Sequence, residues 1–484
     1  MNIMKNKISY RLLWLLIFPV LIYQISCTEK LDLLPKQSID AGTALTTPEN
    51  IKATLVGAYL QARDADIFGS TFNEYSELLA ATADLKFIGT YSQPREIIKK
   101  EIAVTNSYIE NTWIAAYDLI NLCNTLLDPE VLAILDPDDA DLVEGGAKFL
   151  RGWIYFEATR LFGLPYEPGQ TNSQPGIPIV TTPTNDVSDA INVARNTVEQ
   201  CYAQAISDLS SAKGLLPGTN DVYATTYAAS AVLARLYLQM GDYTEAATEA
   251  NRVIESPNNY SLTDTPLDAF NNNSATSEDI FALQNNVASN TSWLTVMYAS
   301  LNGMGRGDYD VQQVFLDTFD PADLRGMLQS NTEDSYTIAN IDTMYYIGVG
   351  LILNNGGINT AKWGDYYANI PLIRLAEMYL IRAEANFESG GPFVGPNTPT
   401  QDINIIRARA LAPVIAGTVT QAEIRDERYW ELCWEGHRLH DLKRWNLDVG
   451  TYAYDAGNLI LPIPFREMEV NDLLVQNDWY VSPK

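Results

Sequence analysis

Residues Ala224–Glu255 constrain this chain more than any other stretch. Leu233, Leu236, Tyr237 and Met240 recur at helical spacing, GDY (Gly241–Tyr243) interrupts them, and Ala246, Ala250, Val253 and Ile254 open a second stripe. An interruption that short leaves room only for an antiparallel hairpin of two helices, and the alanines let the backbones approach closely. A lone hairpin cannot bury both of its apolar sides, so other helical pairs must stack on it. The pairs available are Tyr108–Leu127 with Asp139–Phe162, and Ile370–Phe387 with Thr400–Leu411.

The order Leu233-Ala234, Tyr237, Gly241, Tyr243, Ala246 is similar to a tetratricopeptide repeat. More helix flanks it. Pro48-Glu49-Asn50 leads into a segment with Leu55, Tyr59 and Ala62 at helical spacing, and Gly163 with Pro165 stops the helix that ends at Phe162. A Pro/Thr/Asn-rich linker, Gln170–Asp186, precedes a further helical segment, Arg195–Leu215. Between Ser256 and Asn369 the helical period fades into turn-rich sequence, with Ile280–Gln284 and Met344–Val349 as short strand candidates. The expected fold is mainly α: a tetratricopeptide-like scaffold of helical pairs carrying a large, irregular, loop-rich insertion and a few short strands.

At 484 residues the chain fits one large domain or two intimate ones. With 32 basic against 60 acidic residues the net charge is −28, which repels phosphate backbones and argues against nucleic acid as a partner. Tyr (27) outnumbers Phe (14), giving many rings with an apolar face and a hydroxyl. Lys5, Lys7 and Arg11 precede an apolar run, Leu12–Tyr23, too short to span a bilayer, which takes about 20 residues. Residues 1–26 therefore read as an export signal. Ser26-Cys27 followed by polar TEKLD is similar to a lipoprotein cleavage site, which makes Cys27 the acylated first residue and the membrane anchor. Cys123, Cys201 and Cys433 lack CxxC spacing and sit in apolar helical contexts, so they are expected to pack as small buried hydrophobes.

Arg425–Trp445 packs Trp430, Trp434, Trp445, His437, His440 and a row of carboxylates (Glu427, Glu431, Glu435) onto one expected helix. The carboxylate row offers two readings, acid/base catalysis or a charge network fastening helices. The second is favoured because buried charge survives only when paired. His437, His440, Glu435 and Asp441 have ligand chemistry, but no HExxH or Glu-x-x-His spacing, so buried histidines are expected and no metal or other cofactor. RGD at Arg306–Asp308 is a chance triplet, and no phosphate loop or GxSxG elbow is present.

Followed by LILPIPFREMEVN (Leu459–Asn471) and VQND (Val475–Asp478), the Arg425–Trp445 segment resembles the C-terminal signature of the SusD/RagB family. Those are surface lipoproteins of Bacteroidetes that capture nutrients for a TonB-dependent transporter. GAYLQAR (Gly57–Arg63), AKFLRGWIYFEATRLFGLPY (Ala147–Tyr166), Arg195–Pro217 and IPLIRLAEMYLIRAEA (Ile370–Ala385) extend the resemblance over the mature chain, with Cys433-Trp434 where Ala-Phe is common and Asn446 where Gly is. It implies a single domain over 27–484: a helical part at 27–255, a ligand-binding insertion at 256–369, and a C-terminal part at 370–484. It further implies a non-enzymatic glycan-binding lipoprotein, anchored on the outer membrane and exposed at the cell surface, with a SusC-like TonB-dependent transporter as partner. A peptide-binding member of the same family, a glycoside hydrolase and a passive repeat scaffold are the alternatives.

Sugar recognition needs flat apolar faces for C–H patches and planar polar groups for hydroxyls. FIGTYSQPR (Phe87–Arg95) puts Tyr91 beside Gln93 and Arg95, and NTSWLTVMY (Asn290–Tyr298) puts Trp293 and Tyr298 near Asn290. With Arg306, Tyr309 and Trp363 these are the candidate ligand contacts, Tyr91 and Trp293 foremost.

Overall fold

The structure, a computed structural model, describes residues 45–184, 192–286, 292–299, 305–326 and 358–481, together with the backbone of 348–349. The expected export signal, Cys27, Asn290 and residues 344–347 of the expected second strand lie outside the described residues.

Thr226–Met240 and Tyr243–Ile254 form the hairpin. Thr225 starts it, its hydroxyl accepting from Ala228 N at 3.1 Å. Gly241 ends the first helix at φ 74°, and a Cβ there would stand 2.9 Å from Pro168 Cγ, so the turn needs glycine for conformation and for space. Asp242 then caps the second helix through Glu245 N. Val198–Leu215 packs on the first helix of the hairpin and Leu375–Ser389 on the second. Pro137–Phe162, Ser107–Leu126 and Pro48–Ala62 continue the stack one way, Pro399–Arg409 and Gln421–Leu432 the other. The protein is thus mainly helical and built from stacked pairs.

Close approach fixes the stack. A Cβ at Gly152 would stand 2.9 Å from Asp208 Cβ, so only glycine admits the Val198–Leu215 helix at that point. Beside it, buried Arg151 makes a bidentate pair with Asp208 (2.7 and 2.8 Å) and donates to Asn124 Oδ1 at 2.8 Å, tying three helices together.

The insertion is less irregular than its sequence. Strands Asp279–Leu283 and Ile370–Arg374 pair antiparallel, and a second sheet takes the order Leu85–Phe87, Tyr309–Val311, Ile358–Asn359, Gly348–Val349. Two expectations are corrected here. Ile370–Phe387 is not one helix: Ile370–Arg374 is a strand because its backbone pairs with the remote Asp279–Leu283 segment, and the helix starts at Leu375. Arg425–Trp445 is not one helix either: Gln421–Leu432 ends, Trp434 (φ 64°) and Gly436 (φ 84°) turn through left-handed conformations, and Arg438–Arg444 begins. The break frees backbone for use elsewhere, since Trp434 O accepts from Trp363 Nε1 and Asn73 Nδ2, both at 2.9 Å.

The carboxylate row is a buried ion network. Arg325 pairs with Asp323 and Glu427 (both 2.7 Å) and with Glu431 (3.1 Å). Arg374 meets Glu278 (2.5 Å), Glu431 (3.1 Å) and Glu435 (2.6 Å). Lys362 pairs with Glu435, Arg407 with Glu427, and Arg409 with Glu278 and Glu431. Among the described residues five carboxylates thus face five bases. His437 and His440 lie buried, and burial pushes both well below the ordinary histidine range, leaving neutral rings. Cys123, Cys201 and Cys433 are buried free thiols.

Candidate ligand-binding face

The Leu85–Phe87 and Tyr309–Val311 strands pair in the register Phe87↔Tyr309, and Ile88 N donates to Asp308 O at 2.8 Å. This pairing brings the loop after the first strand against the loop before the second. Tyr91, at the start of the Ser92–Lys99 helix, meets Arg306, whose guanidinium carbon lies 4.3 Å from the centre of its ring. Arg306 is held in that plane from three sides: Nε donates to Asp308 Oδ2 (2.9 Å), Nη2 to Thr90 Oγ1 (3.0 Å) and Nη1 to Tyr91 OH (3.4 Å). Its side chain is 37% exposed. Tyr91 and Tyr108 are half-buried with ring centres 6.4 Å apart, and Arg95 braces the loop from below by donating to Gly89 O at 2.7 Å. The result is a partly exposed plate of half-buried aromatic rings and a guanidinium, the latter oriented by its own hydrogen bonds.

Acidic groups lie behind it. Burial pushes Glu74 up to about 7, against hydrogen bonds from Ser70 and Tyr309, and pushes Asp66 up to about 6 with help from neighbouring Asp64. Glu74 is 1% exposed and covered by Tyr309, so its raised pKa serves no solute in this arrangement.

The sequence candidates divide accordingly. Tyr91 and Arg306 come together. Half-buried Trp293 opens the Trp293–Tyr298 helix beside a small cavity of about 30 Å³ that it shares with Arg63 and Asn285, and Arg306 N donates to Val296 O in the same helix at 2.7 Å. Tyr298, Tyr309 and Trp363 are corrected: all three are buried and offer no ring face to a solute. Their polar atoms are drawn inward, Tyr309 OH to Glu74, Tyr298 OH to Asn73 Oδ1 (3.2 Å) and Trp363 Nε1 to Trp434 O. Tyr108, Thr90 and Asp308 were missed as parts of the face. Tyr108 reads in sequence as one more residue of a helical stripe, and only strand pairing carries the Arg306 loop to it.

Among the described residues no group of three or more His, Cys, Asp and Glu side chains could hold a metal ion, and no helix is long and apolar enough to cross a membrane. A family model described as starch-binding and associating with the outer membrane matches residues 31–238, and a second, described as the SusD family, matches residues 235–459. SusD-like protein P2 of Formosa agariphila is 26% identical over 491 aligned residues, spanning 89% of this chain and 92% of that protein. The starch-binding protein SusD of Bacteroides thetaiotaomicron is 33% identical over 150 residues, 26% of each chain. A crystal structure of a SusD superfamily protein from Bacteroides thetaiotaomicron superposes with a TM-score of 0.76 at 25% identity, over 89% of this chain and 99% of that one.

Proposed function

The chain belongs to the SusD/RagB family, and from that premise we propose that it is a non-enzymatic, cell-surface lipoprotein that binds extracellular glycan and hands it to a SusC-like TonB-dependent outer-membrane transporter. The observation that carries the glycan reading is the Tyr91–Arg306 plate with Tyr108, Thr90 and Asp308 around it. Rings cover the C–H face of a sugar, while planar donors and acceptors meet its hydroxyls. A starch-binding relative and a starch-binding family description support the same class. Cys27 supplies the anchor in this reading, and an outer-membrane family fits an acylated N-terminus.

Calorimetric titration with maltoheptaose and laminarihexaose, alongside a glycan array, tests it. Tyr91→Ala and Arg306→Ala are each expected to weaken binding at this face by about tenfold, the equivalent of one lost contact of ~1.4 kcal/mol. Both variants should remain folded, Arg306→Ala near wild-type thermal stability and half-buried Tyr91→Ala somewhat below it, so binding is compared well below the melting temperatures. Wild-type affinity in both variants, or peptides bound in place of sugars, would overturn the proposal.

A further inference from the structure

A second cavity, of about 690 Å³, opens at the far ends of the repeats, where the turn 219–225, the segment 257–260 and the Asp279–Leu283 strand converge. It shares no lining residue with the Tyr91–Arg306 plate. We propose that this groove is a separate saccharide subsite, selective for uncharged sugars.

Its lining is aromatic on one side. Tyr223 is half-buried and backed by Tyr59, ring centres 5.0 Å apart, and Tyr260 is half-buried with its hydroxyl accepting from Asn258 Nδ2 at 3.1 Å. Three amides supply the polar side, and each is turned the same way. Asn258 Nδ2 also donates to Gly218 O (2.7 Å), Asn220 Nδ2 to Ala224 O (2.8 Å) and Asn259 Nδ2 to Pro257 O (3.0 Å). One N–H of each amide is thus held by a backbone carbonyl, which orients the group, and none of the three Oδ1 atoms accepts a hydrogen bond from a described residue. Asp221 and Asn259 hold left-handed backbone (φ 47° and 54°), which fixes the two turns that present these groups.

Open amide oxygens, with the second N–H of Asn220 and of Asn259 beside them, suit a ligand whose groups both donate and accept, as hydroxyls do. No Lys, Arg or His lines it, and Asp221 and Asp279 add negative charge, so phosphate, sulfate and uronate groups are repelled. Hydroxyls donate to amide oxygens while sugar C–H faces rest on Tyr223 and Tyr260, a division of labour that a bare cation or an amine does not use. The inference takes its ligand class from the function proposed above but stands on different residues.

The test titrates the mature protein with maltoheptaose, laminarihexaose and a uronate oligosaccharide in three forms: wild type, Tyr91→Ala/Arg306→Ala, and Asn258→Ala/Tyr260→Ala. Asn259→Gly is a fourth form that removes one acceptor at a backbone conformation glycine accepts freely. The groove variants are expected to lose about tenfold in affinity for a neutral oligosaccharide. That binding should survive in Tyr91→Ala/Arg306→Ala, and the uronate should not compete for it. Groove variants that bind every neutral oligosaccharide as wild type does, a groove that takes calcium instead, or no neutral binding outside the Tyr91 face would each overturn the subsite. The last result would leave the function proposed for that face intact.

Discussion

Glu431→Ala is expected to lower stability by about 3–5 kcal/mol, the cost of breaking a buried ion pair by removing one partner. Glu431 is fully buried, and its carboxylate meets Arg325 and Arg374 at 3.1 Å and Arg409 more closely still. Burial alone would oppose its ionisation, but Arg409, Arg374, Arg325 and Lys362 overcome that and hold its carboxyl well below the usual range. Among the described residues the network has five carboxylates and five bases, so removing Glu431 leaves buried arginines short of a carboxylate. Unfolding entropy of ~2.1 cal/mol/K per residue makes a chain of this length lose about 1 °C per kcal/mol, so calorimetry should show a fall of roughly 3–5 °C. A melting temperature within 1 °C of wild type, on the order of the error of such scans, would remove the network from the account of stability.

Two controls sharpen that expectation. In Glu431→Met/Arg409→Met the charge count balances again, and part of the loss should return, because apolar groups of similar volume replace a buried pair at little cost. The pH dependence has a definite sign. Because the folded-state pKa of Glu431 is depressed, its contribution is complete above the unfolded value of about 4.3 and is lost as pH falls toward the folded one. The gap between wild type and Glu431→Ala should therefore be full at neutral pH and narrow in acid.

Local pattern carried the scaffold. The stripes on either side of Gly241 and the stop at Gly163 are read from spacing, because a helix writes its buried face every three or four residues. The break at Cys433–His437 was hidden, since Trp434 is an unexpected residue for positive φ and the partners that reward the turn, Asn73, Glu77 and Trp363, are remote in sequence. Nothing local marked Ile370–Arg374 as strand, since Pro371 also suits the first turn of a helix and the pairing strand, Asp279–Leu283, is remote in sequence. The site was half legible for the same reason. Tyr91 and Tyr309 look alike in sequence, as aromatics in loop-rich segments. One is capped by an arginine 215 positions away, and the other is drawn under the surface by Glu74.

Gly436→Val should damage both the fold and the binding face, and this separates it from Glu431→Ala. At φ 84° an L residue costs about 1–2 kcal/mol, and a β-branched one more. The added Cβ would stand 2.8 Å from Asn73 Cα, which is backbone inside the Thr71–Ala80 helix and cannot swing aside. Together these predict a loss of about 3 kcal/mol or more, with Gly436→Ala milder because it adds no branch. The displacement travels along a short path. Asn73 accepts from Tyr298 OH at 3.2 Å, Tyr298 packs on Tyr309 at 4.6 Å between ring centres, and the Tyr309 strand pairs with Phe87, next to the Tyr91 loop. Folded Gly436→Val should therefore bind oligosaccharide more weakly at the Tyr91–Arg306 face, while folded Glu431→Ala binds there as wild type does. Equal affinity in both variants, measured by calorimetry below their melting temperatures, would cut the link between the turn at Gly436 and the binding face.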